Sequence, residues 1–158
     1  MEISENARVW IYQSDRPLRA AEQVQINDIL SSFTSQWLAH GERLTALAEI
    51  RYHRFIILMV DEERAGATGC SIDKSVNLMK ELEKLYDIDL FDRFNVAYRD
   101  GTEIFSCNRS DFEMLLSTGK LHENSIVFNN TVPTLRDLNS KWEVPLKDSW
   151  HAQVFGKS

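Results

Sequence analysis

Three residues of this sequence carry the side chains that a nucleophilic site requires. Cys70 follows a loop containing two glycines and comes at the start of a helical pattern, while Asp61 directly follows an apolar run. A thiol beside a helix N-terminus lies near backbone dipoles that stabilise its thiolate. With His40 as the base and Asp61 orienting the imidazole, these residues would form a cysteine-dependent hydrolase or transferase site. The alternative is that Cys70 is a small buried side chain.

The same loop could instead bind an anion. Gly69 allows a ligand to approach the backbone closely, and Ser71 offers a hydroxyl beside the helix start. Glu62 and Asp73 place negative charge around it, and Trp37 is expected on the same side of the domain. We therefore predict these five residues as ligand-binding. The alternative is that Ser71 only caps the helix, with Asp73 in the first turn complementing the helix dipole.

The sequence predicts no metal ion and no cofactor. Asp61 and Glu62 are adjacent on a predicted strand and point to opposite faces, so they cannot easily share one metal. No H-x-x-x-H, C-x-x-C or H-E-x-x-H spacing occurs. Three aspartates, at 87, 89 and 92, have a spacing like that of a calcium loop. The segment lacks the glycine and the distal glutamate of that motif, so we predict a solvated turn there.

Histidines and tryptophans elsewhere have two possible roles. His151, like His53 and His122, has no partner histidine at helical spacing, so we predict surface or capping roles. The tryptophans could line a pocket for a ring-bearing ligand or pack in the core. They are Trp10, Trp37, Trp142 and Trp150.

Composition limits the class of protein. The chain has 158 residues, of which 43% are hydrophobic and 27% charged, as in ordinary globular proteins. We predict one domain, with an α/β core at 1–107 and C-terminal additions at 108–158 packed on it. A net charge of −6 gives no basic surface for nucleic acid. The longest apolar run, 55–60, is too short to cross a membrane, and 1–10 has no signal-peptide pattern, so we predict a cytoplasmic protein with free thiols.

Hydrophobic periodicity and turn residues predict the elements that position these side chains. In chain order they are a strand at 8–13, a helix from Asp15–Pro17 to Gly41 with Val24 on its apolar stripe, strands at 44–52 and 55–60 joined as a hairpin, a helix at 72–86, and a hairpin within 93–107 turning at Asp100-Gly101. Three more elements follow. They are a short helix capped by Ser110 with Glu113 and ending near Gly119, a strand at 125–130, and a short helix at 133–138 capped by Thr131 or Thr134.

This order predicts an α+β, ferredoxin-like split β-α-β core (β-α-β-β-α-β), with an extra hairpin strand and C-terminal helical or irregular additions. The first and third strands would then lie in the middle of one sheet. Because the third strand would run antiparallel to the first, Asp61 would lie where the first strand begins. The first helix returns to that edge, so Trp37, His40 and Gly41 are expected beside the loop 66–71.

Several segments give the chain a family resemblance. They are VWIYQSDRPL, QWLAHG, RFIILMVDE, GCSIDKSV, LFDRFNVAY and VPLKDSWH, of which GCSIDKSV is the most specific. The chain resembles, over most of its length, a family of short uncharacterised bacterial proteins often labelled "ABC transporter ATPase". The resemblance implies a shared fold and supplies no catalytic residues. ATP hydrolysis is not expected, since the nearest approach to a P-loop has Met114 and Leu121 where glycine and Ser/Thr belong.

Three functions remain open from the sequence. The favoured one is a small binding module, with a small anionic or aromatic ligand or a protein partner at the 61–73 loop and the start of the second helix. The second is the cysteine-dependent enzyme using Cys70, His40 and Asp61. The third is a structural or adaptor subunit, for which a homodimer is one expected form. Neither nucleic acid nor a membrane is an expected partner.

Overall fold

A computed structural model describes residues 3–63 and 65–155, and strands and helices alternate through much of this range. The strands are β1 (Arg8–Gln13), β2 (Leu38–Ala39), β3 (Glu42–Arg43), β4 (Thr45–Arg51), β5 (Phe55–Asp61), β6 (Val96–Asp100), β7 (Glu103–Cys107), β8 (Ile126–Phe128) and β9 (Glu143–Pro145). The helices are α1 (Ala20–Gln36), α2 (Gly69–Tyr86), α3 (Arg109–Ser117), α4 (Leu135–Lys141) and α5 (His151–Phe155), with a 3-10 turn at Leu146–Asp148. The protein is therefore a mixed α+β structure, and its sheets are antiparallel.

Strand β5 is the centre of the first sheet, whose order is β1-β5-β4. Each of its residues 55–60 is no more than 5% exposed, which confirms the prediction of a strand covered on both faces. Ile56, Leu58 and Val60 pack on the side of α1 and α2. Phe55, Ile57 and Met59 pack on the other side, with residues of the second sheet and of α4. The β4–β5 hairpin is also as predicted.

The second sheet has the order β7-β6-β8-β9 and packs against the first. Successive residues of β6 face opposite ways, because side chains alternate along a strand. Ala97 joins the cluster shared with the first sheet, and Val96 joins a third cluster formed with α3 and α5. The β6–β7 hairpin was predicted, but its two-residue loop is Gly101-Thr102, since Asp100 still pairs with Glu103. The two sheets thus lie between two layers of helices.

The predicted ferredoxin-like topology is not confirmed. It requires the fourth strand of the pattern to pair with the first, whereas β6 pairs with β7 and β8. Strand β1 is an outer strand of its sheet, and its free edge is taken by the segment that enters α4. Val9 N–H donates to Pro133 O at 3.0 Å, and Arg8 forms a bridge with Thr134. The position that the fourth strand would occupy is therefore filled.

Helix α1 begins later than predicted. Residues 14–19 stay non-helical because their backbone bonds to the β4–β5 turn: Ser14 N–H donates to Arg54 O and Leu18 N–H donates to His53 O. The helix then starts at Ala20, where Glu22 accepts from Arg19 N–H and pairs with Arg16. Val24 was predicted on the apolar stripe and is exposed.

Three other local predictions have mixed outcomes. Gly41 does not end α1, which stops at Gln36; it forms with His40 the turn of a β2–β3 hairpin that the sequence did not predict. Asn108, and not Ser110, caps α3. Thr134 caps α4, as one of the two alternatives predicted.

Within the described part of the chain, no helix is both long and apolar enough to span a membrane.

Candidate functional site

The end of α1 and the start of α2 meet, as the predicted strand directions required. Trp37 Nε1 donates to the backbone oxygen of Ser71 at 2.8 Å. The Trp37 side chain is only 2% exposed and packs against Phe33 and Trp10. The indole N–H of Trp37 is therefore already used inside the protein, at the junction of the two helices.

The start of α2 is capped from within its own loop. Thr68, and not Ser71, is the cap: its Oγ1 accepts from Ser71 N–H at 3.2 Å, and Ser71 Oγ accepts from Thr68 N–H at 2.7 Å. Ser71 is the third helical residue and is buried. Asp73 is the fifth and exposed, so it lies beyond the first turn in which it was predicted. Gly69 opens the helix, with open space around its α-carbon.

The two carboxylates after β5 bind nearby backbone. Asp61 accepts from Ser4 N–H at 3.4 Å and from Glu63 N–H at 3.1 Å. Glu62 accepts from Ala67 N–H at 2.8 Å and lies 4.0 Å from the Arg8 guanidinium. Both side chains are therefore already engaged by backbone N–H groups close to the end of β5.

The proposed nucleophile and base are both exposed. Cys70 is the second residue of α2, and His40 lies in the β2–β3 turn with a φ of 50°. Among the described residues, no hydrogen bond joins Cys70 to His40 or His40 to Asp61. The structure thus places His40 in a turn, Asp61 at the end of β5 and Cys70 in the first turn of α2.

The two thiols are expected to react at very different rates. Burial, with a contribution from the Asp111 charge, raises the pKa of Cys107 to about 11. At a given pH Cys107 then carries about 100-fold less thiolate than an ordinary cysteine. Iodoacetamide should alkylate exposed Cys70 first, as followed by mass spectrometry of each cysteine peptide. Cys70→Ser should remove the fast phase, and equal rates at both thiols would contradict the prediction.

A cavity of about 670 Å³ lies at the other half of β1, where that strand ends. This volume is within the range of small-molecule sites. The walls come from four parts of the chain: the end of β1, the segment before β6, the segment after β8, and the start of α5. The lining residues are Ile11, Tyr12, Gln13, Leu90, Phe91, Asp92, Arg93, Phe94, Asn95, Phe128, Asn130, Thr131, Trp150 and His151. A smaller cavity of about 330 Å³, on the β1 and 130–133 side, shares several of these residues.

Aspartates shape one wall of the cavity. Asp15 accepts from Asp89 N–H at 2.9 Å, and Asp89 accepts from the N–H groups of Phe91 and Asp92. Asp92 in turn accepts from Phe94 N–H at 2.9 Å. These short side-chain-to-backbone bonds are typical of turns, and they turn the chain so that its aromatic side chains line the cavity. The predicted turn at 87–92 is thus present, and it forms part of a cavity wall.

A chain of amides joins the walls. Gln13 Nε2 donates to Asn95 O at 2.8 Å, and Asn130 Nδ2 donates to Gln13 Oε1 at 2.9 Å. Asn130 Oδ1 accepts from Trp142 Nε1 at 2.9 Å. Because each amide is held at both ends, the polar part of the wall is fixed before any ligand binds.

Two residues at the start of α5 complete the cavity. The Trp150 and His151 rings stack with centroids 3.9 Å apart. Trp150 Nε1 is buried and has no hydrogen-bond partner in residues 3–63 and 65–155, which is uncommon for an indole N–H. His151 was predicted at the surface or in a cap, and it is instead only 2% exposed. Burial lowers the pKa of its imidazole to about 4, so it is neutral at physiological pH.

The tryptophans divide between the two roles considered. Trp37 and Trp142 are core residues, while Trp150 lines the cavity. Trp10 is partly buried beneath the Arg8 guanidinium and borders the smaller cavity. The sequence therefore indicated aromatic residues as candidates for lining a pocket. It did not indicate which of them would line the same one.

Among the described residues 61–63 and 65–73, none lines either cavity. Across the described ranges, no group of three or more histidine, cysteine, aspartate or glutamate side chains is arranged to hold a metal ion.

Comparison with known protein families, with curated proteins and with solved structures finds no match to this chain. The resemblance to short bacterial proteins therefore stays a prediction.

Proposed function

We propose that this protein is a small-molecule binding module whose ligand occupies the 670 Å³ cavity at the end of β1. The observation that carries the proposal is the composition of the walls. Six of the fourteen lining residues carry aromatic rings, and a pre-formed amide chain supplies fixed polar groups. Small-molecule sites combine these two features. Both cysteines are free, which supports the prediction of a reducing, cytoplasmic location.

The cavity is a better site than the 61–73 loop for a physical reason. In the loop, Ser71, Glu62 and Asp61 already bind their own backbone, so a ligand would have to displace these bonds. The two places lie at opposite ends of β1, since Arg8 pairs with Val60 and Gln13 pairs with Phe55. A ligand in the cavity therefore leaves the loop and the start of α2 unchanged.

The proposal is tested by binding of phenylnaphthylamine, an uncharged aromatic probe that fluoresces in apolar sites. Phe94 lines the cavity and is 53% exposed, so Phe94→Ala should fold normally. We expect Phe94→Ala to weaken binding by about tenfold, because one aromatic contact is lost. The measurement is a fluorescence titration.

Phe105→Ala is the matched control, because Phe105 is also an exposed phenylalanine but lies on β7 outside the cavity. It should bind the probe as the unaltered protein does. Failure of the unaltered protein to bind the probe, or equal weakening by both substitutions, would contradict the proposed site.

A cysteine-dependent enzyme is the second candidate. One observation favours it: the Cys70 thiol is exposed in the first turn of α2. A Cys70 thiol that reacts with iodoacetamide no faster than free cysteine would count against this candidate.

A further inference from the structure

We infer that the ligand of this cavity is a flat aromatic molecule with an anionic substituent, the ring lying between the aromatic walls and the anion on Arg93. The inference rests on the proposed binding function and adds the chemical class of the ligand. It has two independent supports: the arrangement of the rings and the state of the arginine.

The rings of the cavity are placed to contact another ring. Phe91 and Phe94 are both exposed and lie together on one wall, and grouped exposed apolar side chains are typical of binding sites. Tyr12 meets Phe91 edge to face, with centroids 5.6 Å apart. Trp150 lies in another part of the same wall, stacked on His151. Aromatic pairs prefer offset or edge-to-face arrangements, so these rings favour a planar, unsaturated ligand over a flexible aliphatic one.

Arg93 is the cationic side chain that lines this cavity. Within the described residues it makes neither an ion pair nor a side-chain hydrogen bond, whereas Arg16, Arg99 and Arg109 each bind a glutamate. Its neighbour Asp92 uses one carboxylate oxygen for Phe94 N–H. A guanidinium carries five N–H donors in a planar fork that fits a carboxylate, sulfonate or phosphate.

The net charge of the protein makes this arginine informative. With a net charge of −6, the chain as a whole repels anions, so anion binding requires a local cation. The amides of the wall add polar contacts for the ring. Gln13 Nε2 and Asn130 Nδ2 each use one of two N–H groups in the bonds described above.

The test compares two probes that share the same rings. Anilinonaphthalene sulfonate carries an anionic group, and phenylnaphthylamine does not. We expect the unaltered protein to bind the sulfonate about tenfold more tightly than the uncharged probe. Arg93→Gln should remove this preference, lowering the affinity for the sulfonate about tenfold and leaving that for the uncharged probe unchanged.

Arg43→Gln is the matched control. Arg43 is an exposed arginine on β3, in no ion pair among the described residues, and it lies outside both cavities. It removes the same charge from the protein, so an equal loss of sulfonate affinity in Arg43→Gln would overturn the inference by showing a general charge effect. Far-UV circular dichroism confirms that both variants are folded.

The remaining outcomes separate the inference from the proposed function. If both probes bind equally well and Arg93→Gln changes neither, the anionic part is wrong while the aromatic binding function stands. If neither probe binds the unaltered protein, both the function and its ligand class are overturned.

Discussion

Replacing Trp142 by alanine is expected to lower the free energy of unfolding by about 4 kcal/mol, the typical cost of truncating a fully buried tryptophan. Trp142 is almost entirely buried. Its ring packs against Phe55 and Phe128 with centroids 4.9 Å and 5.1 Å away, and stacks on Tyr52 at 5.6 Å. These rings come from both sheets, so the substitution opens a cavity where the sheets meet.

The loss has a second, polar component. Without the indole, Asn130 Oδ1 loses its donor, and the amide chain to Gln13 and Asn95 loses its anchor. Trp142→Phe separates the two components, because it keeps a ring in the cluster and removes only the N–H and part of the volume. We expect Trp142→Phe to lower the free energy of unfolding by about 2 kcal/mol.

Urea unfolding followed by far-UV circular dichroism measures both variants without relying on tryptophan fluorescence. A decrease of less than about 1 kcal/mol in the free energy of unfolding of Trp142→Ala would contradict the role of this ring in packing the two sheets together. A Trp142→Phe variant as unstable as the alanine variant would show that the hydrogen bond matters more than the packing.

Acidification from pH 7 to pH 4 is expected to lower the free energy of unfolding by about 3 kcal/mol through His151 alone. Burial lowers the pKa of His151 to about 4 in the folded protein, from an ordinary value of 6.5. As the pH falls, the unfolded chain therefore takes up this proton before the folded protein does. The contribution of neutral His151 to the free energy of unfolding is complete above about pH 6.5 and is lost progressively as the pH falls to about 4.

The surroundings of His151 explain why the folded protein resists protonation. Its Nδ1 lies 2.8 Å from Ser149 Oγ, and its ring lies among Trp150, Phe112 and Phe155. No carboxylate pairs with it among the described residues, so nothing compensates for the buried charge of an imidazolium.

The measurement is the free energy of unfolding at several pH values between 7 and 4. His151→Gln should flatten this profile, and His53→Gln, which changes an exposed histidine, is the control. The Glu22 carboxyl, whose pKa Arg16 lowers to about 2 by hydrogen bonding, loses its contribution as the pH falls from about 4.5 to about 2. Both the unaltered protein and His151→Gln contain Glu22, so this contribution cancels from the comparison. Identical profiles for the unaltered protein and His151→Gln would refute the assignment.

Structural elements that depend only on residues close together in the sequence could be predicted from it. The six apolar residues from Phe55 to Val60 predict a strand buried on both faces, and β5 has this position. The β4–β5 hairpin and the helical stripe of α2 follow from the same kind of pattern, since period and spacing are properties of one segment.

Caps were harder to predict, although they are local. Two hydroxyl residues, Thr68 and Ser71, stand three positions apart, and either pattern satisfies the rule for a cap. The choice depends on where the chain turns into the helix, and here the Ser71 carbonyl also accepts from Trp37, which is 34 residues away in the sequence. The hydrogen bond between Trp37 and Ser71, which are distant in the sequence, thus accompanies the choice of Thr68 as the cap of α2.

The predicted convergence of candidate residues at the 61–73 loop was partly a consequence of topology. Strand direction alone brings the end of α1 to the start of α2, and Trp37 contacts Ser71 as a result. It could not determine side-chain hydrogen bonding, and the carboxylates of Asp61 and Glu62 bind their own loop.

By itself, the sequence determined the buried central strand, the two longer hairpins and the residue types available for a site. Only the tertiary structure decided which of them meet. Gln13 bonds to Asn95 and to Asn130, 82 and 117 residues away, and the cavity lies at these contacts. Its position depends on how the second sheet packs against the first. The periodicity of a single segment does not encode which sheets pack together. The residue types available for a site could therefore be predicted from the sequence, and the position of the site in the fold could not.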